Sequence, residues 1–258
     1  MPKSRLIKPR IPTPGLPIES VNTRPSDRLA AKGSTAVMAQ RREPPGALDF
    51  FPTPPWATRA LFRHVLPAIG IDAISSVWEP ACGEGHMAVV LAEFVGSFVT
   101  ASDIFDYGYG TAPVDFLNDP HLGCPAWIIT NPPFSTASEF TLRALDLATE
   151  GAAVLVRTQW IEGVGRYENL FRDRPPSLYA PFVERVPMVK GRWDPDATTA
   201  TSYAWFVWGK ALSGPSRIFW IPPGCRGSLT LPDDRRRFAA WSFSPADAPL
   251  LDRIEITP

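Results

Sequence analysis

Asn131-Pro132-Pro133-Phe134 is the stretch whose residue types and order most clearly suit chemistry. Two consecutive prolines lack N–H groups and hold φ near one value, so the backbone is stiff there. The residue before a proline is pushed towards extended geometry. The tetrapeptide follows an apolar run, AWIIT (126–130), and can neither prolong a strand nor open a helix cleanly. It presents one amide, neighbouring carbonyls and one aromatic ring from a rigid bracket, which suits gripping something flat and polar. A second group is Glu79-Pro80-Ala81-Cys82-Gly83-Glu84-Gly85. Its glycines permit a tight turn and a close approach that a side chain would block. Asp103 follows about twenty residues beyond those glycines, the separation at which an acid reaches ribose hydroxyls. Asp115 and Phe116 can meet an adenine ring, one by hydrogen bonding and the other by stacking. Taken alone, the glycine turn fits a nucleotide loop or a simple bend equally well. The spacing E-x-x-x-G-x-G is not that of a nicotinamide dinucleotide site, and no GxxxxGK[ST] occurs.

The elements that must position these residues alternate. A helix is expected to start near Pro54 in DFFPTPPWATRALFRHV, with Trp56, Ala60, Leu61, Val65 and Leu66 at helical spacing. SSVWEPA (75–81) reads as a strand, HMAVVLAEF as a helix, and SFVTASD (97–103) as a second strand. VDFL (114–117) and AWIIT (126–130) read as a third and a fourth. STASEFTLRALDLATEG (135–151) is an amphipathic helix with a Ser start and a Gly stop, and AAVLVRTQW (152–160) a fifth strand. Strands apolar on both faces and separated by helices indicate a parallel sheet covered by helices, an α/β fold. FVERVPMVKG (182–191) and ATSYAWFVWGK (200–210) flank a polar turn and are expected to pair antiparallel at one sheet edge. SRIFWIPPG (216–224) is a candidate for one more strand. In such a sheet, ligands sit beyond the carboxyl ends of the strands. The unusual residues fall at those ends.

At 258 residues and 45% hydrophobic content, the chain can bury one large core. No run approaches the length of a membrane span, and the N-terminus has no apolar region of the signal-peptide kind. Cys82, Cys124 and Cys225 are scattered and make no CxxC, as in a reduced cytoplasmic protein. His121 and Cys124 are three apart without a second ligand pair, so no metal is expected. Net charge is zero, yet residues 1–45 carry nine Lys or Arg against Glu19, Asp27 and Glu43. The expected organisation is a disordered, basic, proline-rich arm (1–46) able to track phosphates, a catalytic domain (47–210), and an extension packed on it (211–258). No oligomeric state is legible.

EPACGEG (79–85), Ser102-Asp103, Val114-Asp115-Phe116 and NPPF (131–134), in this order, resemble the S-adenosylmethionine-dependent amino-methyltransferases, and most of all the DNA N6-adenine enzymes. DFFPTPPW (49–56) resembles the segment that precedes the glycine motif in their gamma-type order. The resemblance covers roughly residues 47–210 and implies a Rossmann-like class I methyltransferase fold, mostly parallel with an antiparallel edge hairpin. It implies a cofactor site made of Thr53, Pro54, Trp56, Glu79, Ala81, Cys82, Gly83, Gly85, Asp103, Ile104, Asp115 and Phe116. It implies that Asn131 and the Pro132 carbonyl accept the two hydrogens of an exocyclic amine, with Pro133 keeping the bracket rigid and Phe134 stacking on a flipped base. Holding acceptors in place before reaction matters more than their strength. Trp160, Lys190, Arg192 and Trp193 are candidates to contact substrate, and Arg235-Arg236-Arg237 to contact phosphates. The acceptor expected is adenine in DNA, methylated by a phage- or prophage-type enzyme acting without a nuclease and with short or relaxed recognition. RNA adenine, a protein glutamine amide and a non-catalytic cofactor-binding subunit are the alternatives.

Overall fold

The computed structural model describes residues 49–120 and 123–238, which belong to one unit, Glu43–Pro258. The basic arm, His121 and the last twenty residues lie outside the described residues. Seven strands form a single sheet: β1 (Val77–Glu79), β2 (Val99–Ala101), β3 (Trp127–Thr130), β4 (Gly151–Arg157), β5 (Leu178–Pro181), β6 (Tyr203–Gly209) and β7 (Arg217–Ile218). Their order is β2-β1-β3-β4-β6-β5-β7. β2, β1, β3 and β4 run parallel, so their carboxyl ends at Ala101, Glu79, Thr130 and Arg157 share one rim. β6 inserts antiparallel between β4 and β5.

The sheet is buried on both faces because successive side chains alternate. Trp127, Ile129, Ala153, Leu155, Trp205 and Val207 point into one core with α1 (Pro55–Ala60) and α2 (His86–Val95). Ile128, Val154, Val156, Ala204 and Phe206 point into the other, under α3 (Ala137–Leu147). Pro54 sits just outside α1 and Pro55 opens it, where a missing N–H costs nothing. Three further short α-helices are α4 (Val164–Arg166), α5 (Cys225–Leu229) and α6 (Asp234–Phe238). Shorter or wider helical turns, such as Thr158–Ile161, link the elements. No helix among the described residues is long and apolar enough to cross a membrane.

Two expected strands are absent from their places. Residues 114–117 make no strand, because Asp115 Oδ1 accepts the N–H groups of Leu117 (3.0 Å) and Asn118 (3.1 Å) and closes a turn instead. Among the described residues, only the bridge Ser102–Thr111 extends the sheet beyond β2. Likewise the partner of β6 is β5 at 178–181, not 182–191. Once β5 has taken that edge, the chain leaves the sheet. Pro187 cannot donate to a ladder, and Val186 turns into the core instead.

Candidate active site

The shared carboxyl rim opens into a cavity of ≈ 300 Å³. Its walls come from the segment before α1 (Asp49 to Thr53), the end of β1 (Glu79 to Cys82), and Asp103, Ile104 and Tyr107 after β2. The Asp115 turn and Asn131, Pro133, Ser135 and Thr136 after β3 close it. Strand ends thus bring the glycine-turn region, Asp103, Asp115, Phe116 and Asn131 together, although they are far apart in sequence.

Asn131 is held in one orientation. Its Nδ2 donates to the Phe51 carbonyl (2.9 Å) and to Thr53 Oγ1 (3.1 Å). The reverse orientation would set two acceptors, Asn131 Oδ1 and the Phe51 carbonyl, against each other. Oδ1 is therefore turned the other way, and it is buried with no hydrogen-bond partner among the described residues. A buried acceptor left unpaired costs stability, and beside a cavity the donor of a bound ligand would offset that cost. Phe134 is pinned through its N–H, which donates to Asp49 Oδ2 (2.6 Å), and its ring packs on Phe51 with centroids 5.3 Å apart. Asp49 and the Phe51 carbonyl went unrecognised in the sequence. The clue available was their place inside DFFPTP, whose two aromatic residues and prolines make a strap over the rim.

The cavity is acidic. Asp49, Glu79, Asp103 and Asp115 line it, and among the described residues no Lys or Arg does. Burial, reinforced by the charge of Asp103, holds the Glu79 carboxyl well above the usual carboxylate range. Burial also raises Asp103, against the pull of N–H groups donated by Gly83 (2.9 Å to Oδ2) and Phe105 (3.1 Å to Oδ1). The Cys82 thiol is pushed far up, mostly by burial and then by Glu79 and Asp103, so it remains protonated and is no nucleophile. Burial lowers His86 to about 4, which makes it a neutral imidazole at pH 7. Such a cavity resists phosphates and welcomes hydroxyls and cations.

Gly83 and Gly85 are required for a reason other than ligand approach. Both have positive φ (51° and 85°), and a Cβ would lie 2.3 Å from the Phe50 ring at the first and 2.5 Å from the Tyr109 ring at the second. Aromatic rings cover the turn, so the cavity wall is formed by Ala81 and Cys82 rather than by the glycines.

Other expected site residues lie elsewhere. Trp56 is buried in the core, edge-on to Phe182 with centroids 5.4 Å apart, and Pro54 shares a separate small groove with Trp56 and Trp193. Trp160 packs between Phe171 and Phe206 under the sheet, and Trp193 packs on Phe238. Both indoles are core fillers, the commoner fate of tryptophan. Lys190 and Arg192 lie outside the cavity wall, and Arg192 pairs with Asp194 (3.4 Å). Arg235, Arg236 and Arg237 each meet a carboxylate, those of Asp196, Asp233 and Glu93, so the run is no open cationic patch.

No family model matches the sequence, and no curated protein is similar to it. Solved structures are similar in fold. The methyltransferase subunit of a type I restriction-modification system from Streptococcus thermophilus superposes with a TM-score of 0.52 at 10% identity, covering 69% of this chain and 48% of that one. A protein from Vibrio vulnificus YJ016, assigned as a modification subunit of a type I restriction enzyme, gives 0.48 at 15% identity, over 76% and 51% of the two chains. Magnesium protoporphyrin IX methyltransferase from Synechocystis PCC 6803, with S-adenosylmethionine bound, gives 0.40 at 15% identity, over 61% and 79%. The chain spans about half the length of the Streptococcus subunit. The strand order, the helices on both faces and the first of these similarities give the chain the Rossmann-like class I methyltransferase fold.

Proposed function

We propose that the acidic cavity binds S-adenosylmethionine and that the chain transfers its methyl group to adenine N6 in DNA. The observation that carries this reading is Asn131, a residue of the cavity wall whose buried Oδ1 has a fixed direction and no hydrogen-bond partner among the described residues. The lining suits the donor: carboxylates without a lysine or arginine match a sulfonium, an ammonium and ribose hydroxyls. Asp103 is the group for the hydroxyls, Phe116 and Ile104 line the adenine side, and Glu79 is a buried carboxyl that a bound cation would draw back towards its charged form. When bound, the donor supplies an electrophilic methyl on sulfur.

The chain's own work is positioning. An exocyclic amine is a poor nucleophile because its lone pair is delocalised into the ring. Asn131 Oδ1 accepts one N–H and the Pro132 carbonyl the other, which localises the pair on nitrogen. The methylated nitrogen would be strongly acidic and would release one proton to water, so no general base with a shifted pKa is needed. Holding the nitrogen in line for attack provides most of the acceleration. A base within a duplex cannot reach this site, so it must be extruded, and Phe134 is the ring to receive it. The similarity in fold to a restriction-modification methyltransferase subunit supports DNA as the acceptor. Phosphate contacts from the basic arm of residues 1–46 would complete the interface.

The test is transfer of labelled methyl from S-adenosylmethionine to unmethylated DNA, total RNA and whole-cell protein in parallel, with digestion of the products. N6-methyladenine in DNA is expected. Label confined to RNA or to glutamine would keep the mechanism and replace the acceptor. No label anywhere, with donor bound, would leave a cofactor-binding subunit. Asp103→Ala removes the charged acceptor proposed for the ribose, and a hydrogen bond to a charged group supports an expected loss of about 10–100-fold in donor affinity by calorimetry. Transfer at saturating donor should then recover most of its rate. An unchanged affinity would mean that Asp103 only braces Gly83 and Phe105.

A further inference from the structure

Arg157 ends β4 at the shared rim and is exposed. Its guanidinium carbon lies over the Phe134 ring, 4.6 Å from the centroid. Tyr203, its register partner on β6, is buried behind with its ring 6.1 Å from that of Phe134. Among the described residues no carboxylate forms an ion pair with Arg157, whereas Arg59, Arg172, Arg174, Arg192, Arg235, Arg236 and Arg237 all have one. It is thus a cation in contact with the bracket, next to a cavity lined with carboxylates. Its partners are the Phe134 ring and the Tyr203 hydroxyl, to which it donates, rather than an anion.

An exposed cation–π contact is weak, and a base stacked on the same face of Phe134 would need the space that the guanidinium fills. Both cannot hold that face. A planar fork with five donors suits phosphate, which binds it bidentately, and an extruded base brings its own phosphates to the rim. We propose that Arg157 is a substrate-positioning residue: its guanidinium leaves Phe134 as the base arrives and takes a backbone phosphate of the DNA flanking that base. This rests on the reading of the site as an adenine methyltransferase. It adds that the rim selects a phosphate-bearing acceptor over a protein amide.

The test uses the full chain with S-adenosylhomocysteine and a fluorescein-labelled DNA oligonucleotide, whose binding is read by anisotropy against salt. Wild type, Arg157→Gln and Arg157→Lys are compared after each is shown to retain wild-type thermal stability and donor affinity. One phosphate contact contributes roughly one unit to the slope of log affinity against log salt. Arg157→Gln should flatten the slope by about that much, so its deficit relative to wild type shrinks roughly threefold between about 50 and 200 mM salt. Arg157→Lys should keep the slope. In turnover, Arg157→Gln should raise KM for DNA and change kcat much less. Equal slopes for wild type and Arg157→Gln overturn the proposal, as does a wild-type chain that does not bind DNA. Because binding is read without turnover, a chain that binds DNA with the expected slopes yet transfers no methyl would sink the methyltransferase reading and leave the phosphate contact standing.

Discussion

Asn131→Ala is expected to lower kcat for methyl transfer by about 10²–10³-fold, the usual effect of removing one preorganised polar contact to the reacting group. Donor affinity should stay near wild type, measured by calorimetry on the same preparation, because the residues proposed for the donor's ribose and adenine lie after β2 and in the Asp115 turn. The split between rate and affinity is the point. A residue that only shaped the cavity would move both. The two donors holding Asn131 supply a second, smaller effect. Thr53→Val removes the 3.1 Å contact and leaves the one to the Phe51 carbonyl, so the amide can swing. Misplacement on the scale of 1 Å costs up to about 10²-fold, and roughly tenfold is expected in kcat. Asn131→Asp keeps an oxygen where Oδ1 stands but turns a second one towards the Phe51 carbonyl, so it should not restore activity. Full activity in Asn131→Ala would end the proposed role of the bracket.

The residues legible in the sequence are those that interrupt strands. Glu79 and Asn131 follow apolar runs and precede proline, and Asp103 closes the second strand, so their place at one sheet rim follows from the parallel arrangement alone. Helix α3 is legible from the spacing of Ala137, Phe140, Ala144 and Leu145, but it ends at Leu147, and Gly151, the expected stop, opens β4 instead. Contacts that depend on which strand takes an edge were not legible. Residues 182–191 alternate as well as 178–181 do, and only the register of β6 decides between them. Trp160 follows β4 at the rim, yet a short helical turn folds its ring back under the sheet. Arg157 gave one signal, a cation closing an otherwise apolar strand, but its meaning required Phe134 beneath it. Asp115 lines the cavity as expected of a strand-end acid, but its carboxylate also closes a turn on Leu117 and Asn118 that the sequence does not reveal.

The least legible feature carries the largest expected effect on stability. Arg59 lies in α1 among apolar residues and is only 4% exposed. It is held by Asp234 of α6 (2.6 and 2.8 Å) and by Glu93 of α2 (2.7 and 2.8 Å), while Arg237 also reaches Glu93 (2.7 Å). Burial alone would lower the pKa of Arg59, but its hydrogen bonds to the two carboxylates more than offset that and raise it. Asp234→Ala leaves a buried guanidinium short of an anion and should cost about 3–5 kcal/mol, a fall in Tm of roughly 10 °C or more for a domain this size. Removing both partners, as Arg59→Met with Asp234→Leu, should cost much less than either single change predicts, because no charge is then stranded. Glu93 adds a pH dependence of definite sign. Burial would raise it, yet Arg59 and Arg237 bring its folded-state pKa below the ordinary 4.5. Its contribution is therefore full above that ordinary value and disappears as pH falls through the lowered one. Thermal melts from pH 7 down to 3 should show wild type losing more stability in that acid range than Glu93→Gln. The network also bears on the site. α1 begins directly after the strap that clamps Asn131, and α2 begins directly after the glycine turn. Loosening their shared anchor at α6 should lower methyl transfer at temperatures well below the melt, and transfer unaffected in Asp234→Ala would confine the network to stability.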